Sequence, residues 1–138
     1  MAVILCLETS TTNCSVAVAV DGRIIALQED NNNQYSHAEK LHPFIDQVLA
    51  KSGILKSSLE AIAVSKGPGS YTGLRIGVSA AKGLCFAIDV PLISIPTLEA
   101  LAHQANIENG LIIPMLDARR LEVYSAVFSS EKEQVRET

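Results

Sequence analysis

Hydrophobic and polar positions follow two rhythms along this chain, one of period two near the start and one of helical period further on. Ala2 to Leu7 is an uninterrupted apolar run that ends in the polar turn Glu8-Thr9-Ser10-Thr11-Thr12-Asn13, the pattern of a central strand feeding a turn rich in hydroxyl and amide groups. From Ser15 to Val20 the valines at 16, 18 and 20 share one face and the alanines the other. Asp21-Gly22 then supplies a two-residue hairpin turn before Arg23 to Gln28, so three antiparallel strands are expected. Glu29 to Tyr35 is polar and asparagine-rich and reads as a loop. Ser36-His37-Ala38-Glu39 matches the S-x-x-E capping box, and Leu41, Phe44, Ile45, Val48 and Leu49 then form one apolar helix face that Gly53 stops. Pro43, inside that pattern, is expected to kink the helix by removing the bond to the Glu39 carbonyl.

The second half alternates strand and helix. The pattern predicts a strand over Leu59 to Ser65, a glycine turn, a helix from about Thr72 to Ile88 and a strand over Leu92 to Ile95. Thr97 can cap a short helix to Ala105. Leu111 to Leu116 and Glu122 to Phe128 read as strands joined by a turn at Asp117 to Arg120, and the charged tail Ser129 to Thr138 is expected to fray. The resulting order, β-β-β-α-β-α-β-α-β-β, implies an α/β fold with a mixed sheet whose faces are covered by helices, because parallel neighbours need crossovers.

Composition narrows the possibilities. The 138 residues are 48% hydrophobic and 19% charged, enough for one ordinary core. A net charge of −4, with the basic residues scattered, lacks the electrostatic term that drives direct nucleic-acid binding. The chain opens on a strand-like run instead of a basic, cleavable leader, and no apolar run approaches a bilayer span, so a cytoplasmic location without membrane contact is expected. Cys6, Cys14 and Cys85 lack C-x-x-C spacing and read as buried or inert thiols.

The segment Lys66 to Gly77, K-G-P-G-S-Y-T-G-L-R-I-G, carries most of the information. It joins an apolar run to a helical pattern, where backbone N–H groups point outward unsatisfied. It is not a Walker A loop, since Leu74-Arg75 occupy the places of the lysine and the magnesium hydroxyl. Nor does G-x-G-x-x-x-G fit a dinucleotide fingerprint. In G-S-Y-T-G the centre is Tyr71, with Ser70 one place early for a nucleophile elbow. His37 and His42 stand five apart, about 140° around a helix, whereas a zinc-binding pair uses i and i+4; His103 stands alone, and no metal site is expected.

The helix after the turn places Gly73, Gly77 and Ala81 on one ridge of small residues, beside Leu74 and Val78, with Arg75, Ser79 and Lys82 as a narrow polar stripe. Mid-helix Gly77 and Gly83 each cost about 1 kcal/mol relative to alanine, and something must offset that loss. Two explanations compete: the helix over 36–52 or the sheet packs on the ridge, or a partner chain docks there through Gly73, Leu74, Gly77, Val78 and Ala81. The second is the functional expectation.

I-L-C-L-E-T-S-T in the first strand, S-H-A-E-K-L-H-P, the turn G-P-G-S-Y-T-G-L-R-I-G and the hairpin D-A-R-R-L-E-V-Y occur together and in order as in the TsaB family, which this chain resembles over essentially its whole length. The resemblance implies an actin, sugar-kinase and Hsp70-like (ribonuclease H-like) lobe over residues 1–110, with 111–138 opening a second lobe whose remainder these residues do not contain. It marks Gly67, Pro68, Gly69, Ser70, Tyr71, Thr72 and Arg75 as the family's motif turn. It also implies a non-catalytic role in forming threonylcarbamoyl-adenosine at position 37 of tRNA. The expected partners are the catalytic paralogue TsaD, the TsaE-type ATPase and, without TsaD, a second copy, with tRNA contacted only indirectly and ATP used by the complex, not bound by this chain.

Two other function classes stay open. An independent nucleotide-binding phosphotransferase of the same fold would need a carboxylate and a glycine-threonine turn after the first strand, and Glu8-Thr9-Ser10-Thr11-Thr12 holds no aspartate or glycine. Those hydroxyls can instead satisfy their own backbone. A glycopeptidase, suggested by the family's glycoprotease-like label, finds no nucleophile-base constellation or zinc spacing here.

Overall fold

In a computed structural model the described residues are 1–32 and 36–138; of the expected loop Glu29 to Tyr35, residues 33–35 lie outside them. The centre is a five-stranded mixed sheet ordered β3-β2-β1-β4-β5, built from β1 (Val3–Glu8), β2 (Cys14–Val20), β3 (Arg23–Asp30), β4 (Ala61–Ser65) and β5 (Leu92–Ile95). β1 pairs antiparallel with β2 and β2 with β3, while β1–β4 and β4–β5 are parallel. The expected hairpin turn is present, with Asp21 and Gly22 at φ +50° and +80°, where glycine and aspartate are favoured. The third strand continues through Glu29 and Asp30, which pair with Ser15 and Cys14, so the expected loop begins two residues later than its polarity suggested.

The apolar alternation decides which face is covered. Leu5 stands level with Val18 and Ile62, and Leu7 with Val16 and Val64. These six residues are buried together with Leu41, Phe44, Ile45 and Val48 of α1 (His37–Ser52) and Ala81 of α2 (Tyr71–Ile88). Gly53 ends α1 at φ +69° as expected. One detail of α1 differs from expectation: among the described residues the capping box makes no side-chain bond at Ser36, whose buried hydroxyl has no partner. Pro43 lies inside the helix, as its place in the pattern indicated.

A second, smaller cluster joins α3 (Thr97–Ala102) to the chain after it: Leu98 and Ala102 pack with Ile112, Ala126 and Phe128. Here the expected two strands are four. β6 (Leu111–Ile112) stops before Pro114, which has no N–H to give a ladder, and β7 (Met115–Arg119) begins after it. β8 (Glu122–Ser125) pairs with β7, whereas β9 (Val127–Ser129) leaves for a separate three-stranded sheet ordered β10-β9-β6, the crossing residue Ala126 being buried. The tail does not fray as expected: Gln134–Arg136 forms β10 against β9, and the Ser129 hydroxyl accepts from the Glu131 and Glu133 N–H groups in the turn between them. None of the helices among the described residues is long and apolar enough to cross a membrane.

Candidate functional site

The glycine turn lies at the C-terminal ends of β4 and β1, and each glycine has its own reason. Gly67 sits at φ +112°, a region side chains avoid, and precedes a cis Gly67–Pro68 bond. A Cβ on Gly69 would lie 2.5 Å from the Ser10 carbonyl oxygen, to which the Ser70 N–H donates at 2.7 Å. Ser70 then caps α2 by accepting from the Gly73 N–H at 3.2 Å, and α2 starts at Tyr71, one residue before the expected start.

The small ridge turns inward. A Cβ on Gly73 would meet the Thr9 carbonyl at 2.1 Å and the His37 ring at 3.2 Å, and one on Gly77 would meet the Thr9 hydroxyl at 2.1 Å. Gly73, Gly77 and Ala81 are buried, and the Leu74 side chain closes over Gly67. The expectation that the small ridge makes room for another chain is therefore corrected: Thr9 of the β1 turn and His37 of α1 fill the space at Gly73 and Gly77, Ala81 is buried in the core, and Leu74 and Val78 are half-buried beside them. The outward face of α2 is different. Tyr71, Thr72, Arg75, Ser79, Lys82, Gly83 and Phe86 are exposed, Phe86 to 91%, Gly83 faces open space, and the Arg75 guanidinium stands 5.6 Å above the Tyr71 ring.

Between the β1 turn and α2 the polar groups are tied together. The Thr9 hydroxyl donates to the Gly73 carbonyl at 2.7 Å, and the His37 Nε2 lies 2.6 Å from the Thr11 carbonyl oxygen. Glu8 accepts from the Ser10 N–H at 2.9 Å and from the Ser10 and Ser65 hydroxyls, so both carboxylate oxygens already have donors. Thr97, expected as a helix cap, instead accepts from the Gly67 N–H at 3.1 Å and donates its own N–H to the Gly67 carbonyl at 3.0 Å. Sequence reasoning missed Thr97 and Thr9 as supports of the turn, because a threonine after a proline reads equally as a cap.

A cleft of about 620 Å³ opens over the turn, walled by Ser10, Thr11 and Thr12, by Gly69 to Thr72, and by Leu116 to Arg119 with Tyr124 of the β7–β8 hairpin. Its lining is mostly hydroxyl, with Asp117 and Arg119 as its charged side chains. Among the described residues no group of three or more His, Cys, Asp or Glu is gathered as a metal would need.

Comparison with known proteins places this arrangement. The family described as "TsaD: tRNA N6-adenosine threonylcarbamoyltransferase" matches residues 29–138. The chain belongs to the TsaB–TsaD family. It is 40% identical over 135 residues to the tRNA threonylcarbamoyladenosine biosynthesis protein TsaB of Haemophilus influenzae, an alignment covering 94% of this chain and 55% of that protein. YeaZ from Pseudomonas aeruginosa superposes with a TM-score of 0.87 at 33% identity, covering 100% of this chain and 65% of that one. The ADPNP-bound activator of the 2-hydroxyisocaproyl-CoA dehydratase from Clostridium difficile shares the fold, with a TM-score of 0.54 at 14% identity, over 98% of this chain and 43% of that one. The expected α/β fold with a mixed sheet is thus the observed one. The chain spans about half the length of the curated TsaB relative it matches.

Proposed function

We propose that this TsaB-type chain is a non-catalytic partner in forming threonylcarbamoyl-adenosine at position 37 of tRNA, acting by docking a TsaD-type catalytic paralogue. The observation that carries the reading is the outward face of α2, where a 91%-exposed Phe86 lies one turn from Gly83. A large apolar ring left in water beside a small residue suits the close approach of another helix. The state of Glu8 supports the absence of chemistry, since its carboxylate is held by Ser10 and Ser65 instead of facing the cleft with free valences. In this reading ATP is consumed by other members of the assembly, including a TsaE-type ATPase. The acidic surface suits a subunit that touches tRNA only through its partners, in the cytoplasm.

Mixing the chain with the TsaD-type paralogue of the same organism tests the reading by gel filtration. A co-eluting complex is expected, lost in Phe86→Glu at unchanged melting temperature. Elution as separate species, or turnover of ATP by this chain alone in a phosphate-release assay, would overturn it.

A further inference from the structure

We draw no further inference here: the strongest candidate, the groove of about 210 Å³ floored by Cys6, Ala17 and Ala63 on the face of the five-stranded sheet away from α1 and α2, with Leu27 exposed beside Ala17, carries nothing because nothing in the structure shows what covers it.

Discussion

The Thr9 hydroxyl, at the end of β1, donates to the Gly73 carbonyl in the first turn of α2 across 2.7 Å, from a residue that is 1% exposed. The bond joins the strand that centres the sheet to the helix that presents Phe86, so the backbone of α2 is set by a side chain sixty-four positions away. Thr9→Val removes the donor and is expected to cost about 1–2 kcal/mol in urea denaturation, whereas Thr9→Ser keeps the hydroxyl and costs less.

The two mid-helix glycines of α2 should respond in opposite directions. Gly77→Ala drives a methyl group into Thr9 and is expected to destabilise by about 2 kcal/mol. Gly83→Ala meets open space and is expected to stabilise by about 1 kcal/mol through helix propensity. Thermal melts of the two variants check both, and equal shifts would contradict the inward orientation of the ridge.

Glu8 is expected to be structural. Glu8→Ala leaves the Ser10 and Ser65 hydroxyls without their acceptor and should lower stability by about 1–3 kcal/mol, while association with the paralogue, measured well below the melting temperature, stays within about threefold of the unmodified chain.

Burial pushes the Cys14 and Cys6 thiols above their ordinary value of 9.0, Lys40 partly opposing the rise at Cys14. The native state therefore holds these protons more tightly than the unfolded chain, and the associated stability is present below pH 9 and lost as pH rises through the folded values. The urea midpoint should therefore fall as the pH is taken above 9.0. At pH 8 a thiol-specific dye should label Cys14 only after denaturation.

Much of the fold was legible in the sequence because local chemistry decided it. Asp21-Gly22 specifies its turn, the 41/44/45/48/49 spacing its helix face, and the valines of 16, 18 and 20 their strand. What was not legible depended on distant neighbours. Small residues at 73, 77 and 81 announce a close approach without saying from which side, and the approaching group, Thr9, belongs to a turn whose hydroxyls read as self-satisfying. Thr97 looked like a cap until the Gly67 backbone came within reach, and the Ser36 box, present in the sequence, makes no side-chain cap bond. Pro114 gave a visible reason for a strand break, but nothing local marks Ala126 as the point where the chain changes sheets.

Thr97 holds the Gly67 backbone from one side of α3 while Leu98 and Ala102 are anchored among Ile112, Ala126 and Phe128. Excising residues 111–138 would strip the oily underside of α3 bare and slacken a loop far from the cut. A recombinant fragment ending at Gly110 should be prone to aggregation, and the amide of Gly67 should exchange its hydrogen sooner than in the intact polypeptide.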